Sequence, residues 1–411
     1  MKRKDFWITL SLVNLCIVAL LGTTLRTKFL FSIPFIDYKN FLSAHSHFAF
    51  GGWVTLAVMT LFVDNLLLNE QKQKKIYQWF LWGIEITSVG MLFSFPFEGY
   101  ALFSIIFSTA FIFFTYAFSW VFIKDILKAK KEKTVPLLSI GALLSLVISS
   151  VGPFTLAYIL ATHRGNAFLF RDSVYFYLHF QYNGFFTLSV FALLFNQLLT
   201  FLDGNTKRKV RTFSIFLCLS VIPALCLSLL WHGYNIYIRA IAFIGCALVL
   251  LGLLFFSRFA FNKKIYAQHV SPLARNLLVL SMISFVIKMI LQTGTIIPAL
   301  GNAVFGYRPI IIGFLHLVFL GFVTFYILFN FLNAAVFSAE KKISTTAITF
   351  FSAAVILNET ILLVQGVGLM FFITERIYPW LLWIAAILLL IGAVWMLLAR
   401  LKKSYGGYAI T

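Results

Sequence analysis

The sequence predicts an all-α integral membrane protein. Twelve transmembrane helices are expected in a pseudo-threefold arrangement of three four-helix units, with both termini cytoplasmic. Three observations lead there. The first is composition: of 411 residues, 61% are hydrophobic and 11% charged, whereas a soluble domain carries about a quarter charged residues. Mean hydropathy is +0.95. The second is the placement of the basic residues between apolar runs. The third is an internal repeat built around a histidine.

Apolar runs long enough to cross a bilayer of ~30 Å recur along the whole chain. They fall at roughly 7–23, 42–66, 77–96, 101–123, 136–161, 174–200, 211–231, 237–257, 276–299, 309–334, 346–372 and 378–399, numbered here as spans 1 to 12. The first follows MKRKDF and lacks a small-residue cleavage site, so it reads as an uncleaved helix. Pro136, Pro309 and Pro379 each open a span, where a missing N–H costs nothing. Pro153 and Pro223 fall inside spans 5 and 7 and should kink them.

The net charge of +20 does not point to nucleic acid, because Lys and Arg sit in short loops. With the N-terminus inside, 24 of the 33 basic residues lie in inner segments and eight in outer ones. That asymmetry orients the chain in the inner (plasma) membrane. Cys16, Cys218, Cys226 and Cys246 all lie in apolar runs. With no CxxCH, a covalently held c-type haem and a disulfide framework are both unexpected.

Spans 2, 6 and 10 carry the repeat. They read HFAFGGWVT from His47, HFQYNGFFT from His179 and HLVFLGFVT from His316. Each fits H-x4-G-x2-T, and the copies are 132 and 137 residues apart. A repeat at that period divides the single membrane domain into units at about 1–133, 134–270 and 271–411. The three imidazoles share one depth near the outer face, and His47, in register with the other two, is expected to face a shared centre. Small residues let membrane helices approach closely, which would bring ligands together. His45 lies two residues before His47 and so points ~200° away from it on an ideal helix. His232 ends span 7. His163 and His269 read as loop residues.

Imidazoles on facing helices suit haem iron or copper. The 49 Phe, 16 Tyr and 9 Trp suit a flat aromatic guest. Arg164, Arg239 and Arg308 are placed to meet haem propionates at the outer edge. Glu85, Lys288 and Glu359 lie mid-span, where a charge is costly. They are candidates for a proton path, with a Glu–Lys ion pair, or a neutral Glu hydrogen-bonded to a neighbouring helix, as the structural alternatives. Gln292 lies one turn from Lys288 on the same face.

On these motifs the chain resembles subunit I of the haem–copper oxidases, nearest to the nitric oxide reductase branch. The resemblance implies at least one b-type haem held by His45 or His47 with His316. It also implies copper or non-haem iron at His179 and His232. Electrons would come from quinol or a cytochrome subunit, and the reaction would be oxidoreductase chemistry on NO or O2. The chain departs from the pattern in three places. Span 10 reads GFLH, so Phe314 stands where an H-x-H pair would place the high-spin ligand. Gly233 replaces the second histidine at the end of span 7. Asn183 and Thr187 replace the glutamates after the span-6 histidine. A twelve-span transporter and a haem-free scaffold subunit are the rival readings. The transporter is disfavoured by a repeat that is threefold rather than twofold.

Overall fold

The computed structural model describes residues 3–162, 166–233, 235–261, 271–334, 336–337 and 342–406. The described residues are helical throughout, with no strand. Twelve helices are long and apolar enough to cross a membrane: Lys4–Leu30, Tyr38–Leu66, Lys75–Glu98, Leu102–Lys128, Thr134–Thr162, Ala167–Phe201, Gly204–His232, Ile236–Ala260, Pro272–Gly294, Arg308–Asn333, Lys342–Met370 and Ile377–Lys402. They match the expected spans in order and keep their numbers. A short helix, Pro298–Gly306, joins spans 9 and 10. Large apolar side chains such as Trp79, Phe103, Trp120 and Phe243 stand exposed on the outside, as lipid contact requires.

The expected kinks are present. Span 5 is two α-helices that meet at Ser150, so Pro153 sits in the first turn of the second. Span 7 is α-helical to Ser220 and a 3-10 helix from Pro223 to His232. Span 8 packs hard against that change of pitch. A Cβ on Gly245 would lie 2.6 Å from the Ala224 backbone nitrogen, so only glycine fits there.

Each repeat copy contains a π-helical segment: Ala49–Thr55, Phe180–Phe186 and Leu317–Thr324. A π turn inserts a residue and disturbs the ordinary carbonyl partners. In lipid those carbonyls must find donors inside the protein. Asn14 on span 1 donates to the Gly52 carbonyl at 2.7 Å, and Ser281 on span 9 to the Phe322 carbonyl at 2.7 Å. Thr187 caps the Tyr182 carbonyl of its own segment. The motif glycines admit close neighbours. Cβ atoms on Gly184 and Gly321 would meet Ser145 of span 5 and Ser284 of span 9. Trp53 Nε1 donates to Thr324 Oγ1 at 3.2 Å, tying the first π segment to the third.

Candidate functional site

The in-register histidines do not converge. The space between spans 2, 6 and 10 is filled by Phe50, Phe186 and Phe319, whose ring centroids lie 4.4 to 6.0 Å apart. Each motif histidine turns away from these rings into a different gap. His47 stacks on Phe95 of span 3 at 4.6 Å, and its Nε2 bonds the Tyr100 hydroxyl at 3.0 Å. His179 is fully buried against span 7. Its Nε2 donates to the Val221 carbonyl at 2.7 Å, and its Nδ1 accepts from Asn183 Nδ2 at 3.0 Å. Both nitrogens are therefore taken by the protein. The expectation that His47 faces a shared centre is corrected: apolar rings pack that centre, while His47 turns to span 3 and His179 to span 7.

His316 behaves differently. Its Nδ1 donates to the Ile312 carbonyl at 2.8 Å, and Nε2 is left without a partner among the described residues. A metal-binding histidine typically has its second nitrogen oriented by a carbonyl in this way. The ring lies within electrostatic range of His45 and Arg26. His45 Nδ1 is buried against span 1, beside Gly22, without a hydrogen bond. The approach is tight: a Cβ on Gly22 would begin 3.2 Å from His45 Cε1. His45 and His47 both lie in the α-helical stretch before the π segment, so the ~200° between them holds. His45, the residue the repeat does not explain, is thus the one brought towards His316.

Above this pair lies a basic, aromatic mouth. The Arg308 guanidinium stands 5.4 Å from the centre of the Tyr38 ring, and Arg26 interacts with the same tyrosine. Tyr38 and Arg308 precede His45 and His316 by seven and eight residues, or about 10 and 12 Å along their helices. Arg26 was not singled out from the sequence. Its signal was the i, i+4 stripe Val18, Gly22, Arg26 on span 1, which faces His45. Arg239 is elsewhere, with Nη2 towards the Ile296 carbonyl at 3.4 Å. Arg164 lies outside the described residues, as do His163 and His269.

His179 and His232 are not brought together. The first touches Val221. The second lies eleven residues further along span 7, of which the 3-10 stretch alone spans about 20 Å. The exposed His232 pairs with Asp172 at 2.7 Å and stacks against Trp231 and Phe168. Gly233, directly after it, has φ +83°, a conformation a histidine adopts only with strain. That is a physical reason for the single histidine here. Among the described residues no group of three His, Cys, Asp or Glu side chains is placed to hold an ion.

The polar mid-span residues are also dispersed. Glu85 is buried and accepts from Asn14 Nδ2 at 2.8 Å. Lys288 is fully buried and donates to Thr187 Oγ1 at 2.9 Å. Glu359 accepts from its neighbour Asn358 at 3.0 Å. The Glu–Lys ion pair does not form; a motif threonine of span 6 takes the lysine instead. Beside Glu359, a cavity of about 700 Å³ opens between spans 9, 10 and 11, with Phe314 on its wall. Neither a scan of protein-family models nor a search of curated protein sequences gave a match to this chain.

Proposed function

We propose that the chain is a divergent haem–copper-oxidase-like membrane protein that binds one b-type haem between spans 2 and 10, through His45 and His316. The carrying observation is the donor set. Two imidazoles lie within electrostatic range of each other, one with Nε2 free and the other held by a backbone hydrogen bond to Val18 with its Nδ1 unpartnered. Arg26 and Arg308 at the mouth are the cations that would meet propionates. Bound there, the haem would supply one-electron chemistry. The protein's part is to aim His316 through the Ile312 carbonyl, to press His45 between Gly22 and the gap, and to exclude water with apolar packing.

The wider reading keeps three four-helix units related by a pseudo-threefold axis, both termini cytoplasmic, in the inner membrane. The recurrence of the π segment at each copy supports the units, and the basic loops support the orientation. No second metal is placed at His179 and His232, because the first has no nitrogen to give. Held by His45 and His316, a haem would supply electron transfer; sensing or redox chemistry on a small gas such as NO or O2 would need one of these histidines to give way. Quinol or a cytochrome remains the proposed donor. A proton path through Glu85, Lys288 and Glu359 would need connecting groups, since the three have separate partners.

The test is a visible spectrum of the purified full-length protein with haem quantification. About one haem per chain with a sharp reduced α-band is expected. A colourless protein after expression with ample haem sinks the proposal. Loss of the band in His47→Ala but not in His45→Ala would sink the ligand assignment alone.

A further inference from the structure

The cavity beside span 10 has no role in the haem proposal, and its chemistry is different. It is walled by spans 6, 7, 9, 10 and 11 and the short helix before span 10, and no histidine or cysteine lines it. Its volume, about 700 Å³, is in the range that holds a drug-sized molecule. The lining is almost wholly apolar, with Tyr182 edge-on to Phe314 at 5.4 Å. Spans 9 and 11 each pack on span 10 but scarcely on each other. The gap between them leaves Ile283, Ile290 and Leu363 exposed, so the cavity opens sideways towards the apolar phase.

The wall carries several hydroxyls, such as Ser228, Ser284 and Thr360, and one amide and one carboxyl, Gln292 and Glu359, on the two spans that flank the opening. Gln292 of span 9 is 6% exposed, and its Oε1 has no hydrogen-bond partner. An orphaned buried acceptor is costly, so a residue held there without a partner marks a site that a donor would complete. Glu359 of span 11 lines the same space. Its carboxyl accepts a hydrogen bond in either protonation state. Both groups ask for a donor, and the wall around them asks for an apolar body.

We propose that this cavity binds a neutral, membrane-soluble molecule with an apolar body and a hydroxyl head, entering between spans 9 and 11 and donating to Gln292 Oε1. The inference does not depend on the haem proposal, since it concerns the opposite face of span 10.

The experiment uses the full chain in lipid nanodiscs and three photoreactive probes: a diazirine-bearing long-chain alcohol, its methyl ether and the matching carboxylic acid. Labelled peptides are mapped by mass spectrometry. The alcohol is expected to label spans 9 to 11 about three- to tenfold more than the ether, the worth of one hydrogen bond. Gln292→Leu should abolish that preference while leaving ether labelling intact. Gly313→Phe should suppress both probes, and Ile287→Trp, on the lipid-facing wall, gives a second block should the first misfold. Equal labelling by alcohol and ether would mean an ordinary acyl chain fills the space and overturns the proposal. So would stronger labelling by the acid, or haem found bound there.

Discussion

The two faces of span 10 make an instructive pair. His316 and Phe314 are two residues apart on one helix, so they point in nearly opposite directions. On the His316 side, towards spans 1 and 2, stand His45, packed beside Gly22, and the basic residues Arg26 and Arg308. On the Phe314 side the gap towards spans 9 and 11 is wide and apolar, with an orphaned amide as its polar point. One face carries an imidazole with a free nitrogen, and the other encloses a cavity of about 700 Å³.

The sharpest way to break this comparison is to delete a ligand. His316→Ala and His45→Ala should each remove the low-spin α-band almost completely, while Phe314→Ala should leave it intact. The reverse manipulation adds a ligand. Phe314→His should let the wide cavity take haem, read as a second, high-spin spectral species alongside the first, with haem content rising towards two per chain. Gly22→Leu follows in size. It drives a side chain into the His45 ring, and haem retained after detergent washing should fall by about tenfold, the worth of ~1.4 kcal/mol. Arg26→Gln should have the smallest effect. Arg26 is half-buried and makes one charge contact among several groups at the mouth, so haem content should fall less than about fivefold, the worth of ~1 kcal/mol, and the α-band should keep its shape. An Arg26→Gln loss as large as that of His316→Ala would show that the mouth, and not the histidines, holds the haem.

Much of this could be read from the sequence. Spans are legible because every lipid-facing stretch must be apolar and long, and no tertiary contact relaxes that demand. The prolines at 153 and 223 mark the breaks in spans 5 and 7 because a missing N–H acts locally. The repeat was visible in His47, His179 and His316. Its consequence was not, because a shared phase on three helices says that the rings point alike within each unit. It does not say that they point at one another. The π segments were equally hidden, since they depend on Asn14, Ser281 and Thr187 reaching carbonyls, two of them across a helix boundary.

By itself, then, the sequence determined the number of spans, their order and the recurrence of a histidine at the head of three of them, because periodicity and hydropathy are properties of a single helix. Only the tertiary structure decided which histidines have partners. It filled the middle of the bundle with Phe50, Phe186 and Phe319, closed both nitrogens of His179 on Val221 and Asn183, and turned His45 rather than His47 towards His316. Those outcomes depend on which neighbour stands opposite each face, and that is set by how helices far apart in sequence pack against one another.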